Sequence, residues 1–230
     1  MAISATYLQM QQQIAMELGD KTQLLPSSSG IWSPIKNAIQ SAIAKWEREP
    51  FYFNEVYTAS FFSTVNTQEL YTSSDAAAIA TTVSIKRLHI TISGSRYSLV
   101  ARDWDYLEDV SVGTTTGKPT DYAYFAQQIR LYPIPDAAYV VSLSGTRRLT
   151  ALAADSDAGG WTTDGFDLIK AEAKFILAGE YLHDAPLAAA MAAAIYGAPA
   201  AQGLPPNEGI LAMLRKETAL RGKAGITRAR

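Results

Sequence analysis

The chain has 230 residues, 48% of them hydrophobic and 18% charged, with no cysteine, two histidines and a formal net charge of −2. This length allows one large domain, or a domain carrying an insertion, with a substantial core. The lack of cysteine excludes disulfides, thiolate metal sites and a cysteine nucleophile, and His89 and His183 alone exclude a histidine-rich metal centre. The charged fraction is below the usual quarter, which suggests contacts with other chains, although much of the apolar count is alanine.

The charge is unevenly placed. Arg215, Lys216, Arg221, Lys223, Arg228 and Arg230 face only Glu217 in the last sixteen residues, so that stretch carries +5 and the remainder −7. The asymmetry reads either as a basic arm that binds something acidic or as a solvated, disordered end. The start, MAISATYLQMQQQ, lacks a basic segment followed by an apolar run, so no signal peptide is expected. The Ala-rich stretch Leu187–Ala201 is interrupted by Tyr196, Gly197 and Pro199 and is too short to span a bilayer.

In chain order, residues 5–18 form a short helix, with Leu8, Ile14 and Leu18 among glutamines. Residues 24–30 form a loop. Ser33 and Pro34 are suited to start the next helix, whose apolar stripe is Ile35, Ala38, Ile39, Ala42, Ile43 and Trp46. Pro50 ends it. From Phe51 to about Leu152 the chain is rich in Tyr, Phe, Thr, Val and Ile, which suit a pleated, half-buried surface. Strands are expected at 51–62, 68–71, 83–92, 95–100, 122–125, 128–132 and 139–147, with turns at Gly94 and at Gln127-Gln128, one short helix at 101–110 and a loop at 114–119. Beyond the turn-rich 154–160, helices are expected at 165–182, 186–196 and 207–221, with Pro199, Pro205 and Pro206 in the intervening loop. The third helix would bury Ile210, Leu211, Leu214 and Ala219 or Leu220.

Strands do not alternate with helices, so a doubly wound fold is not expected. The fold class read from this order is α+β: a helical bundle formed from both chain ends (1–50 and 162–230) with an inserted antiparallel β-rich region (51–161) and a basic C-terminal arm (215–230).

Catalytic patterns are scarce. No phosphate-binding loop, dinucleotide fingerprint or nucleophile elbow occurs, and Ser95 in Ser93-Gly94-Ser95 reads as a hairpin turn. His89 reads as a strand residue and His183 as a helix-end residue. Asp103, Asp105, Glu108 and Asp109 surround Trp104 and Tyr106. They read as the solvated face of a helix with Trp104 and Leu107 inward, the alternative being paired carboxylates for a metal or for acid–base work. Asp155-x-Asp157-x-Gly159 starts like a calcium loop, but Phe166 stands where its bidentate glutamate belongs. The β region shows no basic stripe, so sequence-specific nucleic-acid binding is not expected, and a net-acidic body suits a channel wall that repels phosphates.

One stretch carries a specific pattern: Gly117-Lys118-Pro119 followed by Tyr122 and Tyr124, then Ile129-Arg130-Leu131-Tyr132-Pro133-Ile134-Pro135-Asp136, the strand Tyr139–Ser144, and a loop through Asp155-Ser156-Asp157 to Trp161. It resembles the head-to-tail adaptor (connector) proteins of tailed bacteriophages, and Trp46-Glu47-x-x-Pro50-Phe51 fits their helix-to-strand passage. Ile129 and Leu131, with Val141 and Leu143, alternate as one buried face requires. Pro133 and Pro135 cannot donate ladder hydrogen bonds, and Asp136 is placed to cap the turn, which together predicts a rigid hairpin.

The resemblance implies a structural, non-enzymatic virion protein at the capsid–tail junction, assembled in the host cytoplasm without a cofactor. It implies a ring, usually of twelve copies, below the portal, which extends the DNA channel without specific DNA binding and docks tail nozzle or tube proteins. On that implication Arg215, Lys216, Arg221, Lys223, Arg228 and Arg230 are portal-interaction candidates, and Tyr122, Tyr124 and Tyr132 are tail or neighbour contacts. The alternatives are a carbohydrate- or surface-binding β module of a virion using those tyrosines, exposed, and a metal-dependent enzyme using Asp103 and Asp105.

Overall fold

The computed structural model describes residues 5–19, 34–110, 115–198 and 208–227, with side chains to 221 in the last segment. Its elements in chain order are α1 (Tyr7–Leu18), α2 (Pro34–Trp46), β1 (Glu55–Ser63), β2 (Leu70–Tyr71), α3 (Ala78–Thr81), β3 (Thr82–Ile92), β4 (Ser95–Ser98), β5 (Val100–Ala101), α4 (Trp104–Val110), β6 (Thr116–Gly117), β7 (Asp121–Phe125), β8 (Gln128–Tyr132), β9 (Ile134–Pro135), β10 (Val140–Arg147), α5 (Phe166–Glu180), α6 (Ala185–Tyr196) and α7 (Gly209–Thr227). The protein is mixed α/β, with seven helices and mainly antiparallel sheets among the described residues. The chain divides into two compact units, residues 1–53 with 149–230, and residues 54–148. The expected helix start at Ser33 and the loops at 24–30 and 199–206 lie outside the described residues, and the loop at 114–119 lies partly outside them.

The first unit holds α1, α2, α5, α6 and α7 around one core. α1 starts with a capping box, in which Thr6 Oγ1 accepts from Gln9 N–H and Gln9 Oε1 accepts from Thr6 N–H. It buries Tyr7, Met10, Ile14 and Leu18. Leu8 is 40% exposed, because the inward stripe begins one residue earlier, at Tyr7. α2 buries the six residues of its predicted stripe and packs against α5. Phe51 and Phe53 were expected in a strand. Instead they stack at 5.3 Å in a turn and meet Trp161 edge-on at 6.1 and 5.1 Å, so the strand begins only at Glu55. Aromatic burial has overridden strand propensity there. α7 buries Leu211 and Leu214, but Ala219 and Leu220 are exposed. Gly209, at φ +73°, lets α7 start against the end of α6, where an added Cβ would lie 2.4 Å from Gly197 N.

The second unit contains two four-stranded sheets, in orders β1-β10-β3-β4 and β2-β8-β7-β5, and the short parallel pair β6-β9. Leu88, Ile90, Val141 and Leu143 of the first sheet share one core with Tyr122, Ile129 and Leu131 of the second. The sequence pattern paired β8 with β10 as a hairpin, and the structure corrects this. β8 pairs with β7 and β2, whereas β10 pairs with β1 and β3. Pro133 and Pro135 end the ladder and carry the chain from one sheet to the other, so the two buried faces oppose each other instead of lying side by side. Asp136 does not cap a backbone turn there; its carboxylate accepts from the Tyr139 hydroxyl at 2.5 Å. The β3–β4 turn falls at Ser93-Gly94 and the β7–β8 turn at Ala126-Gln127, all four residues at positive φ.

Candidate functional site

α7 carries Arg215, Lys216 and Arg221, and the structure gives each an acidic partner. Arg215 Nε donates to Glu49 at 2.8 Å, Lys216 Nζ to Glu208 at 2.5 Å, and Arg221 Nη2 to Glu217 at 2.6 Å. Arg221 also lies 3.7 Å from the Tyr52 ring centroid. The Tyr52 hydroxyl donates to Asp164 at 2.7 Å and its backbone N–H to Thr218 Oγ1 at 3.1 Å. Burial, then the hydrogen bond to Asp164, pushes the Tyr52 phenol up to about 12. The first half of the basic segment is thus fastened to the chain's own first unit. The Lys223 side chain, Arg228 and Arg230 lie outside the described residues.

The tyrosine candidates are not a set of exposed rings. Tyr122 is only 4% exposed and belongs to the β core. Tyr124 is half-buried and donates to Thr82 O at 2.6 Å, and Tyr132 is half-buried. Burial raises the Tyr122 and Tyr124 phenols. The large aromatics exposed on this unit are Tyr57, Tyr97, Tyr106 and Phe125.

In α4, Leu107 is fully buried and Trp104 half-buried, while Asp105, Glu108 and Asp109, and Asp103 just before the helix, are exposed. Glu108 accepts from Trp104 Nε1 at 3.1 Å and pairs with Arg130 at 2.5 Å. Ala101, Arg102, Asp103 and Tyr106 line an open depression of about 330 Å³. Among the described residues no three His, Asp or Glu side chains come together in a group that could hold a metal ion. Asp157 Oδ2 accepts from the N–H groups of Ala153 and Ala154, and Asp155 pairs with Lys36 at 2.9 Å, so both carboxylates of the calcium-like stretch serve the loop. Lys36 and Gln11 hold the Asp155 carboxyl below its ordinary range.

Sequence reasoning missed a polar junction in the first unit. Glu172 on α5, 2% exposed, accepts from Lys45 Nζ at 2.7 Å and Trp46 Nε1 at 3.2 Å, both on α2. Lys45 also donates to Tyr196 on α6 at 2.9 Å. Burial pulls the Lys45 ammonium down, but its hydrogen bonds to Glu172 and Tyr196 outweigh this and raise it. The signal was an acid among the apolar residues of the inward stripe of α5, whose other charged residues lie off that stripe.

These features are surface charges, fastened helices and packed sheets. Residues 5–208 match the family described as SU10 adaptor protein, and the chain belongs to that family. This bears out the resemblance to phage head-to-tail adaptors. No curated protein matches the chain. Among the described residues no helix is long and apolar enough to cross a membrane.

Proposed function

We propose that this chain is a structural head-to-tail adaptor of a tailed bacteriophage. Copies form a ring, of twelve by the family resemblance, below the portal; the ring extends the DNA channel and docks tail proteins. The observation that carries the proposal is the family match over residues 5–208. It is supported by helices from both ends of the sequence sharing one core, which we read as a bundle, with the β unit as an insertion used against neighbours or the tail. The role needs no catalytic residue or cofactor, and the protein's place is the virion.

The portal-docking segment is the basic C-terminal stretch. Because Arg215 and Arg221 are paired within the chain, the docking charge is carried chiefly by Lys223, Arg228 and Arg230, beyond the last contact with Tyr52. Mixing the purified chain with its portal protein and imaging by electron microscopy tests the reading, with rings on the portal as the expected result. Removing residues 222–230 abolishes portal binding and leaves the melting temperature unchanged. Undiminished portal binding by that truncated chain removes the docking assignment, and absence of rings with the whole chain removes the adaptor reading.

A further inference from the structure

The β unit carries opposite charges on opposite outer faces. In the first sheet the core side is Leu88, Ile90, Val141 and Leu143, so alternation sends the intervening residues outward. Register aligns them in rows: Tyr57, Ser144 and Arg87; then Ser142, His89 and Ser98; then Val140, Thr91 and Arg96. Arg87 and Arg96 are exposed and have no acidic partner among the described residues, Arg96 lying only against the Tyr57 ring at 5.6 Å. The acid brought to this face by register is Glu55, which pairs with Lys86. Tyr57 and Val140 add exposed apolar surface, 54% and 38%. On the same face the Ser142 and Thr146 hydroxyls are buried without a hydrogen-bond partner among the described residues.

The second sheet faces the shared core with Ile129 and Leu131, so Arg130 between them points to the other side. There it pairs with Glu108 and lies 5.5 Å from the Trp104 ring, which places α4 on the outer side of that sheet. The layers are therefore first sheet, core, second sheet, α4. Asp103, Asp105 and Asp109 are exposed, and their carboxylates have no partner among the described residues. Around them Val100, Tyr106 and Phe125 are exposed by 49%, 48% and 60%.

We infer that the outer face of the first sheet, through Arg87, Arg96 and Tyr57, docks the acidic α4 face of a second copy of this chain. Each patch has charge without a partner among the described residues, and each has exposed apolar area beside it. Because the patches lie on opposite faces of one unit, the contact is head-to-tail. Such a contact propagates from copy to copy and closes into a ring when the rotation permits. A nucleic acid is the weaker occupant: two arginines fall short of the roughly six to ten phosphate contacts of a typical binder, whereas the same chain supplies a matching acidic surface. The inference rests on the ring-adaptor reading and assigns that ring its β-unit interface.

Sedimentation of the whole chain tests it. Wild type self-associates at low salt and dissociates in about 1 M salt, where the screening length is about 3 Å. Arg87→Glu with Arg96→Glu, or Asp105→Lys with Asp109→Lys, weakens self-association more than about a hundredfold, since opposed like charges cost several kcal/mol. All four positions are exposed, and unchanged melting curves verify folding. Mixing the two variants restores association, because each presents the face the other now needs; misfolded chains cannot do this. Wild type that stays monomeric at low salt, variants that associate like wild type, or a mixture that fails to associate overturns the inference. So does loss of single-stranded oligonucleotide binding in the arginine variant with self-association intact, which would give the face to nucleic acid. Portal rings are scored separately: rings that form with each variant alone remove this interface and leave the adaptor role standing.

Discussion

Replacing Glu172 by alanine removes the acceptor that ties α5 to α2, and its cost follows from what each partner can do afterwards. Lys45 is 42% exposed at its side chain, so its ammonium turns to water, and the lost pair is worth about 1 kcal/mol, well short of the cost of stranding a fully buried charge. Trp46 is 6% exposed and its indole N–H keeps no acceptor, which costs about 1–3 kcal/mol. The deleted carboxyethyl group leaves a void worth about 1 kcal/mol. The total is about 4 kcal/mol, and at about 2–4 °C per kcal/mol the first unit melts roughly 8–16 °C lower. Glu172→Gln retains the size and an oxygen for the indole, so its cost is about 1 kcal/mol. Calorimetry checks both variants, resolving two transitions if the two cores unfold separately. An alanine variant that melts with wild type refutes the reasoning, as does a glutamine variant as damaged as the alanine one.

Two other perturbations probe the framework. Gly145 on β10 sits at a register shift where an added Cβ would lie 2.2 Å from Ser84 O, a backbone atom, so Gly145→Ala destabilises the β unit by more than about 2 kcal/mol, read as a lower urea midpoint. Glu17 on α1 is partly buried, which raises its pKa, but hydrogen bonds from Lys170 and Lys174 at 2.8 and 2.6 Å outweigh this and hold it below its ordinary 4.5. In the window just under 4.5 the unfolded chain therefore binds more protons, and stability falls as pH falls. Glu17→Gln is less stable at neutral pH and loses less on acidification; parallel pH profiles of the urea midpoint for the two proteins would contradict this.

Local order was readable where periodicity was strong. The α2 stripe repeats every three or four residues and folds as read, and β3, β7, β8 and β10 fall within about one residue of their expected spans. Partner choice was not readable. Ile129-x-Leu131 and Val141-x-Leu143 announce two buried faces but not whether they lie side by side or opposed. That is decided by non-local pairing, β10 joining β1 and β3 from far earlier in the chain. Phe51 and Phe53 look like strand residues until Trp161, more than a hundred residues later, gives them a better site. The charge pattern was half legible. The excess of cations after residue 214 is plain in the sequence, but Glu49, Glu208 and Tyr52, which engage the first three, are found only in the fold. Arg87, His89 and Thr91 alternate in sequence, and the alternation alone could have marked them as one outward row.

An insertion of this size between two helices that must pack together would ordinarily separate them by a long loop. Closure entropy grows with the logarithm of loop length, and a flexible segment would also compete for the core's partners. Here the β unit begins and ends at one place. Arg147 N–H donates to Asn54 O at 3.0 Å, and Glu55 pairs with Thr146 across the first ladder, so the two strands that leave and re-enter the helical unit are hydrogen-bonded neighbours. Once the sheet has formed, the helices flanking it experience a short fixed bridge in place of a loop. Phe51, Phe53, Leu149, Leu152 and Trp161, which flank that bridge in sequence on both sides, belong to the core of the helical unit. The same arrangement lets the inserted unit vary its outer faces, where Arg87, Arg96 and the α4 acids lie, without disturbing the Glu172 junction that joins the helices.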